Sequence, residues 1–168
     1  MSGGKPESPS DSPVIVTDRE ITITRVFDAP REMIWKAWTD PKQIVKWWGP
    51  RGFRLIVHQM DVRTGGTWKS TMVGPDGTEY RNDCVFVEVV KPQRIVYALA
   101  GGKKELDDTQ AEVTWTFEAQ GEKTRVTLRM LFPTAEARQR AAATYKVLEG
   151  GNETLDRLGE HLGDGVVG

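Results

Sequence analysis

The chain has 168 residues and a net charge of −1, from 23 basic and 24 acidic side chains, which is enough for one domain with its own core. The balanced charge gives no reason to expect a nucleic-acid or anionic-membrane partner, and the sequence contains no apolar run of about 18 residues that would span a bilayer. Cys84 is the single cysteine, which excludes an internal disulfide. Since no secretory signal is visible either, we expect a cytoplasmic protein.

The N-terminal stretch is rich in glycine, proline and serine. We expect residues 1–18 to form a disordered tail, because this composition buries little apolar surface. Glu20 to Phe27 alternates apolar and polar side chains, which predicts a half-buried strand. A short helix is then predicted from Asp28 to Trp38. The domain itself is predicted to span residues 19–163, with a flexible C-terminus at 164–168.

A second short helix has clear start signals. Asp40 is the predicted N-cap, Pro41 occupies the first helical position, and Gln43 is the expected capping-box partner. The helix ends at Gly49-Pro50 and carries the adjacent tryptophans Trp47 and Trp48. Because neighbouring residues at a helix end point in different directions, we expect one of these rings in the core and the other partly exposed.

Six further strands are predicted after the helices, for about seven in all. They cover residues 53–62, 67–73, 78–90, 94–99, 112–119 and 124–132. Short turns between consecutive strands predict an antiparallel meander. Helices segregated to one side of such a sheet give the α+β class.

The last element reads as one long helix from Thr134 to His161, with Thr134 as its N-cap. Apolar residues recur on one face of it at Ala141, Tyr145, Leu148, Leu155, Leu158 and Leu162. This stripe needs a partner surface, and the sheet is the natural one.

Several motifs in order resemble one family. They are DAPREMIWKAWTDPKQIVKWWGPRGF (Asp28 to Phe53), MDVRTGGTWK (Met60 to Lys69), GPDGTEY (Gly74 to Tyr80), FVEVVKPQRIVY (Phe86 to Tyr97) and LDRLGEHL (Leu155 to Leu162). Together they resemble the SRPBCC superfamily, in the branch similar to the C-terminal domain of the activator of the heat-shock-protein-90 ATPase. The resemblance implies the helix-grip fold of START lipid-transfer domains and birch-pollen-allergen-like proteins, with a hydrophobic cavity between the sheet and the long helix.

The long helix departs from the branch's pattern at Gly150-Gly151. A tryptophan is expected where Gly151 stands. Two glycines inside a helix cost about 1 kcal/mol each relative to alanine. The missing indole would also leave space on the gripping face. We therefore expect a kink or an enlarged cavity at this point.

Candidate pocket residues follow from strand alternation and from the implied fold. They are apolar and aromatic side chains interleaved with a few polar ones: Trp48, His58, Met60, Trp68, Ser70, Met72, Tyr80, Asn82, Phe86, Trp115, Phe117, Leu128, Met130, Tyr145 and Leu148. An apolar cleft with a few convergent polar groups is typical of small-molecule sites. His58 joins Met60 on this face in one hairpin register only, because a slip of one residue reverses the faces.

Catalytic chemistry has weaker support in the sequence. Two histidines and one cysteine are too few for a typical structural zinc site, so neither a metal nor an organic cofactor is expected. Ser70 or Cys84 with His58 lacks a nucleophile-elbow motif. Acid–base residues facing the cavity form a third possibility, with His58, Tyr80, Asp83 and Glu88 as candidates. For Asp83 and Glu88 we favour pairing with Arg54, Arg81 or Arg94 on the solvent side of the sheet.

The sequence thus favours binding of a small hydrophobic molecule, such as a lipid, a steroid or a polyketide-like compound. One alternative is a chaperone-interacting or stress-response domain resembling the heat-shock-protein-90 ATPase activator. Another is an aromatase/cyclase-like enzyme that uses acid–base residues in the cavity. The expected partners are the small ligand and a chaperone or other protein, with no nucleic acid and no membrane insertion.

Overall fold

The computed structural model describes residues 14–99, 111–144 and 146–167, with only the backbone described at residues 99 and 164–167. In chain order its elements are β1 (Val14–Val16), β2 (Glu20–Phe27), α1 (Arg31–Thr39), α2 (Pro41–Ile44), β3 (Arg54–Met60), β4 (Thr67–Val73), β5 (Glu79–Val90), β6 (Arg94–Leu99), β7 (Glu112–Gln120), β8 (Lys123–Leu131), α3 (Ala135–Thr144) and α4 (Val147–Val167). All the strands join one antiparallel sheet in the order β1-β2-β8-β7-β6-β5-β4-β3. The predicted α+β class and the meander of strands are confirmed. Within the described ranges, no helix is long and apolar enough to span a membrane.

The two chain ends differ from the predicted boundaries. Val14–Val16 forms β1, which pairs with β2 through Val14 opposite Ile23 and Val16 opposite Ile21. A tail extending to residue 18 is therefore wrong for this segment, and β1 accounts for the eighth strand; the remainder of the predicted tail, residues 1–13, lies outside the described residues. At the other end α4 continues to Val167, past the expected boundary at residue 163.

The strand register defines an inner face of the sheet. Directly opposed residues on antiparallel strands point to the same side. Leu128 on β8 lies opposite both Ile23 on β2 and Trp115 on β7, and Trp68 on β4 lies opposite Cys84 on β5. These residues are all buried, so this side of the sheet, which we call the inner face, carries the core.

The two short helices begin as predicted and carry aromatic residues into that core. Asp40 accepts the backbone N–H of Lys42 at 2.9 Å, which confirms it as the N-cap of α2, with Pro41 at the first helical position. Gln43 reaches the Asp40 carboxylate with its side-chain amide at 3.5 Å, not the backbone N–H that a capping box requires. Trp38 on α1 is fully buried.

The long C-terminal helix is two helices. Thr134 accepts the N–H of Ala137 at 3.0 Å, which confirms the predicted N-cap, but the helix ends at Thr144 and α4 begins at Val147. Lys146 between them has φ = 53°, in the left-handed region that a residue with a Cβ adopts only at a cost. The prediction of one uninterrupted helix is therefore wrong.

The expected kink or enlarged cavity at Gly150-Gly151 is also wrong. The helix continues through both glycines, and Gly150 N–H bonds the Lys146 carbonyl at 2.9 Å. A Cβ at position 151 would lie 2.8 Å from Cδ1 of Ile23 and 3.6 Å from Cδ2 of Leu128. The room left by a missing tryptophan is thus taken up by the sheet, and glycine lets α4 approach β2 closely.

Candidate functional site

Six aromatic rings pack together on the inner face. We call them the aromatic cluster: Trp38, Trp48, Trp68, Phe86, Tyr97 and Trp115. Trp38 is at the centre, with its ring centroid 5.3 Å from Trp68, 5.5 Å from Trp48 and 5.9 Å from Trp115. Five of these rings are buried, whereas Trp48 is only partly buried. Edge-to-face and tilted ring pairs at such distances add stability beyond the burial of their area.

The local sequence explains how these rings meet. The period of α1 places Ile34 and Trp38 on the same buried side. Strand alternation turns Trp68 and Trp115 inward from β4 and β7, and Phe86 lies opposite Tyr97 across β5 and β6. Trp48 arrives from the segment after α2.

Trp47 and Trp48 divide as predicted. Trp47 is fully buried and donates its indole N–H to the Ala37 carbonyl at 3.1 Å. Trp48 is partly buried and lies against Trp68, with their ring centroids 5.0 Å apart. The pair therefore joins the helical layer to the aromatic cluster while one ring remains within reach of solvent.

Three indole N–H groups in the cluster find no acceptor in the described part of the chain. They are Nε1 of Trp38, of Trp68 and of Trp115, all of them buried, and the Trp115 indole interacts with the phenol of Tyr97. Leaving a buried donor unpaired costs roughly 1–3 kcal/mol. Trp47, which has a carbonyl acceptor, shows what a fully satisfied tryptophan looks like in the same core.

Part of the inner face remains partly exposed although it is apolar. Met60 lies opposite the buried Trp68, the Trp48 ring contacts Trp68, and Met72 lies farther along β4 near Gly49. Met130 and Leu148 also pack against the core and are partly buried. Methionine adapts its shape readily, so it suits a surface that must fit a ligand. These five side chains form the apolar part of the core surface that keeps some contact with solvent.

Most of the predicted pocket residues share this inner face. The register places there Met60, Trp68, Ser70, Met72, Asn82, Phe86, Trp115, Phe117, Leu128 and Met130. Trp48 and Leu148 pack against the same core from the helical layer. Tyr80 has inner-face register, but it lies near the start of β5, is 46% exposed, and contacts Phe53 with ring centroids 6.0 Å apart. Tyr145 lies outside the described residues.

His58 is the exception, and its predicted place in the pocket is wrong. The pairing of β3 with β4 shifts between Val57 and Gln59, so that an extra residue is inserted and Met60, not His58, meets Trp68. His58 is exposed and contacts the hydroxyl of Thr71 through Nε2 at 2.8 Å, on the outer face. The alternation of apolar and polar residues along β3 does not reveal this bulge.

The candidate acid–base residues also lie away from the aromatic cluster. Arg81 pairs with Asp83 at 2.9 Å, and Arg94 pairs with Glu88 at 2.9 Å, at partly exposed positions. This confirms the expected pairing on the solvent side of the sheet.

The remaining ionisable groups of the core are neutral near pH 7. Burial, followed by the charge of Asp83, raises the pKa of the Cys84 thiol to about 12. Burial also raises the pKa of the Tyr97 phenol above its usual value. Within the described ranges, no group of three His, Cys, Asp or Glu side chains is placed to hold a metal ion.

Comparison with known proteins identifies the family. Residues 28–163 match the family model described as "Activator of Hsp90 ATPase homolog 1-like protein". The chain belongs to this family. The resemblance inferred from the motifs is thereby confirmed, and so is the helix-grip fold. A search of curated proteins finds no match.

Solved structures of similar fold agree with this family assignment. The solution NMR structure of a protein from Arthrobacter aurescens has 25% identity and a TM-score of 0.83, with 90% of this chain and 91% of that chain covered. Protein Ms6760 from Mycobacterium smegmatis has 27% identity and a TM-score of 0.78, over 91% and 98% of the two chains. An AHSA1-like protein from Aeromonas hydrophila, at 21% identity and a TM-score of 0.65 over 88% and 95%, shares the fold.

In this member of the activator-like family, one arginine on α4 holds the segment that carries Trp48. Nη1 of Arg157 lies 2.9 Å from the carbonyl oxygen of Gly49 and 3.1 Å from that of Pro50. It also contacts the carbonyls of Trp48 at 3.2 Å and Phe53 at 3.3 Å. Burial, and then the charge of Arg51, lowers the pKa of Arg157. We call this set of contacts the arginine clamp.

Acidic residues on the same face of α4 strengthen the attachment. Glu160 binds the Arg51 guanidinium at 3.1 Å, and Glu153 accepts the Arg51 backbone N–H at 3.0 Å. Glu153, Arg157 and Glu160 are spaced four and three residues apart, which places them on one face of the helix. This charged face was not among the predicted sites, although the spacing of its residues was a usable signal.

Proposed function

We propose that this domain binds one small hydrophobic molecule on the inner face, against the aromatic cluster, without a metal or an organic cofactor. The observation that supports it most is the apolar patch around Trp68, where Trp48, Met60 and Met72 remain partly exposed on the side of the sheet that carries the core. Core residues that only pack are normally covered completely, whereas a binding surface must be reachable.

Burial of apolar surface provides the driving force. A two-ring aromatic molecule that buries roughly 250 Å² would gain about 6 kcal/mol at 25 cal/mol per Å². The loss of translational and rotational freedom removes a large part of this gain. We therefore expect dissociation constants in the micromolar to millimolar range for a simple probe, with tighter binding for a ligand that fills more of the inner face.

Polar groups near the patch can orient such a ligand. Ser70 is buried on β4 directly opposite Asn82 on β5, both with inner-face register. They lie between Trp68 and the more exposed Tyr80. Asn82 and Tyr80 remain our candidates for contacting the polar end of a lipid, a steroid or a polyketide-like molecule. The buried thiol of Cys84 fits a reducing compartment, so we place the protein in the cytoplasm.

A contact with a chaperone is the second candidate, and the family match is the observation that favours it. Such a contact would use the outer surface, where the apolar side chains of Val26 and Val87 are 50% and 45% exposed. The aromatase/cyclase-like alternative has less support, since His58, Asp83 and Glu88 all have polar partners away from the aromatic cluster.

Equilibrium dialysis with 2-ethylnaphthalene tests the binding proposal. We expect saturable binding at one site per chain. Ser70→Leu should weaken it at least fivefold, because the added side chain fills the inner face beside Trp68. Val87→Leu also enlarges an apolar side chain, by one methylene, at a position that is 45% exposed and should leave the affinity unchanged. Thermal unfolding of each variant checks that the fold survives.

Two results would contradict the proposal. Non-saturable uptake would show that the probe only partitions onto the protein. Equal affinities in the wild type and Ser70→Leu would place the bound probe elsewhere. Native mass spectrometry of freshly purified protein, followed by organic extraction, gives the mass of any natural ligand that co-purifies.

A further inference from the structure

We propose that the molecule bound at the aromatic cluster carries a hydrogen-bond acceptor, the carbonyl oxygen of an aromatic or polycyclic ketone or quinone, which receives the indole N–H of Trp38 or Trp68. This inference rests on the proposed function and specifies its ligand class. Trp38 and Trp68 have ring centroids 5.3 Å apart, and the buried N–H of each finds no acceptor in the described part of the chain. The N–H of Trp115 also finds none there, but its indole interacts with the Tyr97 phenol, so the proposal rests on Trp38 and Trp68.

Trp47 shows that an indole N–H in this core can have a protein acceptor. Trp47 is as deeply buried as Trp38, yet its N–H reaches the Ala37 carbonyl at 3.1 Å. Trp38 and Trp68 lie among ring faces and edges, and the described residues offer them no acceptor. A buried donor is normally paired, so an external acceptor is the natural completion of this arrangement.

Trp48 lies between solvent and the indoles of Trp38 and Trp68, so a ligand that carries an acceptor would reach them at the position of its ring. Its ring centroid lies 5.5 Å from that of Trp38 and 5.0 Å from that of Trp68. It is the one partly exposed ring of the cluster. A flat molecule that takes over the contacts of Trp48 would lie against both indoles, with its carbonyl edge next to their N–H groups.

The electrical neutrality of the cluster narrows the ligand class. Burial raises the pKa values of Cys84 and Tyr97, so both groups remain uncharged at pH 7. The charged residue Arg25, which shares the inner face on β2, is already bound to Asp156 and, at 2.9 Å, to Asn152. A carboxylate or an ammonium group would find no counter-charge in the cluster, whereas a neutral ketone needs only a donor.

A matched pair of probes separates this inference from the proposed function. 2-Acetylnaphthalene and 2-ethylnaphthalene have nearly the same shape, but only the first carries a carbonyl group. Equilibrium dialysis gives the affinity of each probe for the wild type, Trp38→Phe and Trp68→Phe. We expect at least one of these variants to lower the ketone-to-hydrocarbon affinity ratio about fivefold or more, which corresponds to the loss of one hydrogen bond. The ratio cancels the apolar contact that both probes lose when the indole is replaced.

Trp47→Phe is the control variant. It removes an indole N–H from the same core, but one that already has a protein acceptor, so the ratio should remain at the wild-type value. If the hydrocarbon binds and the ratio is the same in wild type, Trp38→Phe and Trp68→Phe, the carbonyl inference is wrong while the proposed function stands. An equal change in Trp47→Phe would overturn it too. If neither probe binds to the wild type, both proposals fail.

Infrared spectroscopy keeps the test independent of variants that fail to fold. The carbonyl stretching band of 2-acetylnaphthalene bound to the wild-type protein should lie below its position in an alkane, because a donated N–H weakens the C=O bond. A band at the alkane position would show an apolar site without a donor and would overturn the inference.

Discussion

The close approach of α4 to β2 at Gly151 gives a quantitative prediction about stability. Glycine inside a helix costs about 1 kcal/mol relative to alanine, so Gly→Ala at an unobstructed helical position should stabilise the protein by up to that amount. Gly163 is such a position, since a Cβ there meets nothing within 4 Å. At Gly151 the same Cβ would lie 2.8 Å from Cδ1 of Ile23, which is itself 1% exposed.

The two substitutions should therefore have opposite effects. Overpacking a buried contact costs roughly 1–3 kcal/mol, which outweighs the helical gain. We expect Gly163→Ala to raise the free energy of unfolding by about 0.5–1 kcal/mol and Gly151→Ala to lower it by about 1 kcal/mol. Urea unfolding followed by tryptophan fluorescence measures both values.

A double-mutant cycle identifies the contact that is responsible. Ile23→Val removes the Cδ1 atom that obstructs the new Cβ, at a cost of about 0.5–1.5 kcal/mol on its own. Combined with Gly151→Ala, it should give a variant more stable than the sum of the single effects by about 1 kcal/mol. If the effects are additive, or if both glycine substitutions stabilise equally, helix α4 does not approach β2 as closely as described.

Two further predictions concern the arginine clamp and the buried thiol. Arg157→Met should lower the free energy of unfolding by about 2–3 kcal/mol, because several backbone carbonyls lose a charged donor. It should also shift tryptophan emission to longer wavelength as Trp48 becomes more exposed. Arg157→Lys should recover part of the stability, and wild-type values for Arg157→Met would rule out the clamp. The pKa of Cys84 is raised from 9.0 to about 12 in the folded protein, so the thiol of the unfolded chain ionises at lower pH than that of the folded protein. The contribution of the neutral Cys84 thiol to the free energy of unfolding is therefore complete below about pH 9 and is lost as the pH rises towards 12. Urea unfolding over this range should therefore show a fall in stability that is weaker in Cys84→Ala, whereas identical pH profiles would refute the assignment.

The strands and their faces were predictable because a sheet repeats every two residues. The alternation in Glu20–Phe27, and in the residues around Trp115 and Leu128, carries the information that decides which side is buried. The same reasoning failed at His58, where the bulge inserts one residue and reverses the alternation. A bulge depends on the pairing of two strands, so a single strand's sequence does not reveal it.

The helical layer was predictable in content but not in continuity. Thr134 marks the start of α3, and the buried stripe of Ala141, Leu155 and Leu158 lies where the period places it. The interruption at Lys146 was missed because a lysine in the left-handed region has no local sequence signal. A kink or an enlarged cavity was predicted at Gly150 and Gly151 instead, although the close contact with Ile23 explains the glycine at position 151 without any kink.

The aromatic cluster was only partly foreseen. Trp68 and Trp115 follow from strand period, whereas Trp38 was not among the predicted pocket residues, although it lies at the centre of the cluster. Its role depends on the angle at which α1 meets the sheet. Arg157 was not predicted either, because its carbonyl partners belong to a segment about a hundred residues earlier in the chain and only the tertiary fold brings them together.

The position of β2 beside β8 has a consequence for biosynthesis. Arg19 bonds the carbonyl of Phe132, 113 positions later in the sequence, and Glu20 lies opposite Leu131. During translation β2 therefore emerges long before its partner β8, and it remains unpaired on that side while the strands from β3 to β7 are synthesised. Sheets closed by such distant pairings fold slowly, and a waiting strand exposes unpaired backbone groups. We therefore expect the nascent chain to be most prone to aggregation before β8 leaves the ribosome.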